Sequence, residues 1–210
     1  MSELFASTGN NRNILRLYKS LLDPNQFRLN TPEDIRFVYN QMIYNESDPT
    51  TFIDGDLFRS NSVFITSNNG EILHKGLEPE SIIHAYLTTL LHYLNYNNSA
   101  KLYKIPIAHY IFGFVHPFYD GNGRIARFIS SFLLNRELEL LTALSLSQSI
   151  EKHRDKYYSA FDISNHPLNR GELTFFCINF FEIIKDGQIN IILDCCKKLT
   201  VDESRLKLFL

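Results

Sequence analysis

A chain of 210 residues that is 44% hydrophobic and 21% charged has the material for one sizeable core and too little charge for a disordered polymer. Its formal net charge of −2 provides no broad basic field, which sets aside nucleic acid and membrane surfaces as partners. The three cysteines, Cys177, Cys195 and Cys196, lack CxxC or Cys/His ligand spacing, so they read as reduced thiols and argue against structural zinc. The opening MSELFASTGNNRNIL has no basic n-region and no apolar h-region. No apolar run reaches the ~18 residues of a membrane span. A cytoplasmic location is the expectation.

Taken in chain order, the segments are mostly helical. In NTPEDIRFVYNQMIY, Asn30 or Thr31 can cap, Pro32 suits the first turn, and Glu33 and Asp34 favour the positive end of the helix. Ile35, Val38 and Met42 then line one face. NESDPTTFIDGD is a polar loop. SVFITSNNGEILHKG breaks the period: a β-branched run, an Asn69-Gly70 turn and a second short run predict a hairpin over about 62–75. In EPESIIHAYLTTLLHYLNYNN the apolar stripe is Ile83, Tyr86, Leu87, Leu90, Leu91 and Leu94, ended by the Asn pair. KIPIAHYIFGFV and RIARFISSFLLNREL are apolar nearly all round, as buried central helices are. SIEKHRDKYYSAF and GELTFFCINFFEIIKDG follow, the second closed by Gly187. The expected fold class is all-α with one β-hairpin, without repeats or a dividing linker. Residues 1–50 form an N-terminal helical segment, 51–200 the core and 201–210 a tail.

Between the two central helices lies HPFYDGNGRIAR, residues 116–127, where polar chemistry is concentrated. Gly121-Asn122-Gly123 allows a tight turn at positive φ. Its successive N–H groups can form an anion nest, and the helix that starts there turns its positive end the same way. Arg124 and Arg127 are three apart, on one helix face, and a forked guanidinium suits phosphate oxygens. Asp120 beside bound phosphate calls for a cation, and Mg²⁺ is commonly held by one or two carboxylates plus substrate phosphates. His116 can accept a proton near neutral pH. Together these residues suit transfer from a nucleotide to a hydroxyl. Gly121-x-Gly123-x-x-Ala126 also satisfies a dinucleotide fingerprint, but that needs a preceding strand and a βαβ unit, and no βα alternation surrounds it.

The stretch resembles the Fic motif HxFx(D/E)GNGRxxR at every specified position: His116, Phe118, Asp120, Gly121, Asn122, Gly123, Arg124 and Arg127. GLEPESIIHAYLTTLLHYLN, KIPIAHYIFGFV and GELTFFCINFF resemble core helices of that family, and the resemblance covers roughly 55–190. It implies the Fic helical bundle and AMP transfer from ATP to a Ser, Thr or Tyr hydroxyl of a protein. In that scheme His116 is the general base and Asp120 binds Mg²⁺. Gly121, Asn122 and Gly123 hold the α- and β-phosphates, and Arg124 and Arg127 contact the outer phosphates. Phe118 is the buried anchor of the loop. The hairpin is similar to the family's flap, in which Val63, Phe64 and Ile65 would dock a target segment by strand addition; an edge hairpin covering the core is the plainer reading. Tyr157 or Tyr158 is the candidate for an adenine wall.

The chain departs from the family in its regulatory element. The inhibitory pattern (S/T)xxxE(G/N), read from Ser7, meets Asn11 and Arg12; read from Thr8, it meets Arg12 at the glutamate position. LTVDESRLKLFL has no matching spacing. Inhibition is therefore lost, supplied by a separate antitoxin-like partner, or removed by alteration or truncation, and its loss implies self-modification. A cap-and-turn role for Ser7–Asn13 is the default. A Fic-like phosphotransferase, and a toxin–antitoxin module that holds nucleotide without transferring AMP, stand as the alternative functions.

Overall fold

The structure is a computed structural model that describes residues 11–23, 27–44, 48, 51–66 and 69–198. The candidate inhibitory segment around Ser7 and the tail 201–210 lie outside the described residues. In order, the elements are α1 (Asn11–Lys19), α2 (Pro32–Met42), β1 (Phe64–Thr66), β2 (Ile72–Lys75), α3 (Glu80–Tyr96), α4 (Lys101–Val115), α5 (Asn122–Glu137), α6 (Leu140–Lys152), α7 (Arg154–Asn165) and α8 (Thr174–Lys198). This is the all-α fold with one hairpin that the periodicities predict.

Thr31 takes the cap position of α2 and Pro32 its first turn. The Asp34 carboxylate accepts from the amides of Asn30 (2.7 Å) and Thr31 (2.9 Å), which gives otherwise orphaned donors a partner. Ile35, Val38 and Met42 are buried as their spacing predicts. The α3 stripe holds at Ile83, Leu87, Leu90 and Leu91, whereas Tyr86 is 47% exposed.

Two cores explain why the central helices are apolar all round. One lies among α1–α5 and includes Val38, Leu87, Phe112, Phe118 and Phe128. The other lies among α4–α8 and includes Ile105, Leu134, Leu146, Phe176 and Phe180. Helices α4 and α5 pack on each other and serve both cores, so most of each helix is covered.

Three expectations need correction. Gly187 does not close its helix, because α8 runs on to Lys198. A Cβ there would overlap Ser149 Oγ and lie 2.9 Å from Ser145 Oγ on α6, so the glycine serves helix–helix approach. SIEKHRDKYYSAF is not one helix: α6 ends at Lys152 and α7 begins at Arg154, with His153 (φ −112°, ψ 32°) between them. The hairpin strands are shorter than the sequence suggests. They pair antiparallel as Phe64↔Lys75, Ile65↔His74 and Thr66↔Ile72, with an irregularity between Ile65 and Thr66. Gly70 (φ 80°) takes the left-handed position of the turn.

Candidate active site

A cavity of about 720 Å³ opens between the hairpin, the α4–α5 junction and α7, within the roughly 300–1,000 Å³ of small-molecule sites. The hairpin contributes Phe64, Ile65, Thr66, Leu73 and His74, and the junction contributes Gly113, His116, Asn122, Gly123, Ala126 and Arg127. Across from them stands the α7 wall, which includes Arg154, Tyr157, Tyr158 and Asp162.

His116 ends α4 in the left-handed conformation (φ 52°, ψ 61°), its amide donating to the Phe112 carbonyl at 3.0 Å. Its Nδ1 lies 3.3 Å from the Gly113 carbonyl oxygen. A carbonyl only accepts, so this contact assigns the proton to Nδ1 and leaves Nε2 with the lone pair. Burial pulls the imidazole down to about 4, with His74 and Arg59 adding to the shift and Asp120 opposing it. The ring is therefore neutral at pH 7. It is half-buried and forms part of the cavity wall.

Behind it, Phe118 is completely buried, stacked on Tyr39 (centroids 4.1 Å, 21°) and tilted against Phe58. Asn122 is also buried: its Nδ2 donates to the Phe118 carbonyl (2.7 Å) and its Oδ1 accepts from the Phe118 amide (3.0 Å). The Asn122 side chain thus staples the loop, and only its main-chain amide is left to face an anion. Tyr119, at a variable position of the motif, donates to Asp54 at 2.7 Å.

Gly121 caps α5 with φ 81°, and a Cβ there would lie 2.5 Å from Ile43. A left-handed residue followed by the right-handed start of α5 points successive amides to one side, at the positive helix end. The positive φ expected in the Gly121-Asn122-Gly123 turn falls at Gly121. Gly123 is an ordinary helical residue, exposed, whose added Cβ would sit 3.4 Å from Arg127 Nη1; its bareness leaves the first turn of α5 open.

Not every sequence candidate reaches the cavity wall. Arg127 does; Arg124 and Asp120 lie outside it, paired with each other at 2.8 Å on the surface. In the hairpin, Phe64 and Ile65 line the cavity, while Val63 sits at the root, its carbonyl accepting from the Gly76 amide at 3.0 Å. Tyr157 and Tyr158 both line it, but differently. Tyr157 is buried, its hydroxyl 2.7 Å from His109 Nε2, and burial raises its pKa. Tyr158 is half exposed, with Arg154 5.8 Å over its ring.

Sequence reasoning missed three residues. His74 reaches from β2 to the Phe114 carbonyl (2.6 Å) and docks the hairpin on α4. His109, buried on α4 between Ser130 Oγ (2.8 Å) and the Tyr157 hydroxyl, is pulled down to about 3 by burial. Arg59, fully buried, reaches the His116 carbonyl. An isolated histidine or arginine outside a motif carries no signal in one sequence.

The site thus joins a left-handed glycine at the start of α5 to a neutral histidine at the end of α4, within a helical domain. The model of the Fic/DOC family matches residues 29–134, about half of the chain, and the chain belongs to that family, which is known for transferring nucleotide- or phosphate-containing groups to proteins. Its fold is similar to a Fic family protein from Desulfovibrio desulfuricans G20 (TM-score 0.73, 22% identity, 89% of this chain and 54% of that one). It is also similar to residues 134–508 of Fic-1 from C. elegans (TM-score 0.56, 19% identity, 92% of this chain and 55% of that one). The chain thus spans about half the length of these solved chains.

Proposed function

We propose that the protein transfers AMP from ATP to a Ser, Thr or Tyr hydroxyl of a protein, with the triphosphate on the amides of Gly121, Asn122 and Gly123. The observation that carries this reading is His116, neutral, with its proton assigned to Nδ1 and its Nε2 left as acceptor in the wall of a nucleotide-sized cavity beside the α5 amides. Nε2 takes the proton of the attacking hydroxyl. Its oxygen forms a bond to the α-phosphorus, the bond from that phosphorus to the α–β bridging oxygen breaks, and pyrophosphate leaves. The α5 amides and Arg127 face the charge that builds on the phosphate oxygens. A cytoplasm supplied with ATP is the compartment that this chemistry implies.

Asp120 fits Mg²⁺ that arrives with the triphosphate, because its carboxylate is exposed and a single carboxylate plus phosphate oxygens suffices. Among the described residues no cluster of three or more acidic, His or Cys side chains would hold a metal alone. When bound, Mg²⁺ would neutralise phosphate charge. Asp120 must first release Arg124, which is then available for the outer phosphates. Phe64 and Ile65, on the hairpin, support docking of the target segment.

The test is incubation of the chain with α-labelled ATP, Mg²⁺ and a cell lysate. Labelled protein is expected with the wild type and none with His116→Ala, and the mass of the modified peptide should rise by one AMP. A phosphate-sized mass increase, or labelling undiminished in His116→Ala, would overturn the reading.

A further inference from the structure

A buried cation with no carboxylate ion pair among the described residues demands a reason, since burying a charge is costly unless hydrogen bonds compensate. Arg59 is fully buried, and its three guanidinium nitrogens all donate to carbonyls. Nε reaches the His116 carbonyl at 2.8 Å and Nη1 the Asn61 carbonyl at 2.6 Å. Nη2 reaches the Leu77 carbonyl at 2.8 Å and lies 3.5 Å from the Val115 carbonyl. The Arg59 amide adds a bond to the Pro117 carbonyl at 3.1 Å. The carbonyls of His116 and Pro117 are therefore both held by one residue. The guanidinium also stands at the negative end of the α4 dipole.

The backbone it holds is costly. When a helix ends in a left-handed residue, that residue is usually glycine, which has no Cβ to clash. Here the left-handed residue is His116 (φ 52°), and it precedes Pro117, a position that favours extended backbone. The hairpin root is pressed against the same point. Leu77 donates to the Val115 carbonyl at 3.1 Å, and a Cβ on Gly76 would overlap Arg59 Nη2 and lie 3.0 Å from His116 Cβ.

We propose that Arg59 is the positioning residue of His116, its guanidinium tying the strained end of α4 to both roots of the hairpin so that base and flap keep one fixed relation. The proposal rests on the transfer reading given above. Arg59 acts through the backbone of His116 and touches no reacting atom.

The test uses Arg59→Met and Arg59→Lys in the full chain. Lysine keeps the charge and loses the planar fork that spans three segments. Label transfer from α-labelled ATP to lysate, with ATP varied, separates maximal rate from KM. Both variants are expected to lose about 10- to 100-fold in maximal rate, with KM for ATP within about threefold. NMR supplies a readout independent of activity. The His116 amide and ring resonances should move in both variants. The charged and titratable groups facing that ring are Arg59, His74 and Asp120. Removing the Arg59 charge should raise the His116 titration midpoint in Arg59→Met and leave it in place in Arg59→Lys.

Folded variants with maximal rates within about twofold of wild type would overturn the proposal. So would His116 resonances that stay in place. If Arg59→Met fails to fold, Arg59→Lys decides. A wild type that transfers nothing would sink the transfer reading alone, and the His116 resonances would still decide on Arg59.

Discussion

The two walls that meet at His116 are built on opposite terms. The motif loop is tied at every residue that matters: Phe118 between two aromatic rings, Asn122 bonded twice to the Phe118 backbone, Tyr119 to Asp54, His116 to Arg59. The hairpin has strands of three and four residues and leaves Phe64, Ile72 and Leu73 substantially exposed. It is attached at the root and through His74, and as a two-stranded sheet it has two outer edges. Charge stabilisation requires donors held in place before the reaction, whereas recognition of an extended segment requires free backbone groups and apolar side chains. Under the proposed transfer, the first wall suits the chemistry and the second suits recognition.

The strongest way to break that contrast is to empty the loop's anchor. Phe118→Ala removes a fully buried ring and should cost about 3–5 kcal/mol in denaturant unfolding, with transfer lost as well. A cost near that of an exposed position would show that the loop does not depend on its anchor. Next comes Asn122→Ala, which leaves the Phe118 amide and carbonyl without their partner and should cost about 1–3 kcal/mol. Its ATP affinity, measured by calorimetry, should fall together with stability, because the same turn presents the amides. Unchanged affinity in a destabilised protein would separate loop architecture from phosphate binding.

The difference between the walls also explains what could be read from the sequence. The fold was legible because α3, α4 and α5 carry long apolar periods, and the loop because its residue types are mutually dependent within twelve positions. Gly121 was legible as a turn, since its φ excludes most side chains. The function of Gly187 was not, because a glycine that lets α8 approach α6 and a glycine that ends a helix look alike in one dimension. Nor was the exposure of Asp120 and Arg124: spacing puts both on one side of the turn, while their pairing away from the cavity depends on how α5 sits in the bundle. Arg59 is 57 residues from His116 and joins it only through tertiary structure.

Acid sharpens the comparison in a graded way. His116 and His109 are held neutral in the fold, titrating at about 4 and about 3 against an ordinary 6.5. Between those values the unfolded chain binds more protons than the folded one. Stability is therefore complete above pH 6.5 and falls through about 4 for His116 and about 3 for His109. His116→Gln should flatten the upper part of that decline in urea titrations at several pH values. The acid limb of kcat/KM, which reports the free enzyme, should have its midpoint near 4; a midpoint at 6.5 would mean that the free ring is solvated as an ordinary histidine.

The smallest effect on stability is expected at the hairpin, and it is the one that decides what the second wall is for. Phe64 and Ile72 are 48% and 59% exposed, so the double substitution Phe64→Ser, Ile72→Ser removes little buried area. Unfolding stability should change by no more than about 0.5 kcal/mol, as at other surface positions. If the hairpin recognises a target, the same variant should need a higher lysate concentration for half-maximal labelling, with a smaller change in KM for ATP because Phe64 also lines the cavity. If the hairpin is instead a cover for the core, the result inverts: the denaturant midpoint drops and the dependence on target concentration does not move. Since the loop wall keeps all of its ties in this variant, either outcome is attributable to the hairpin alone.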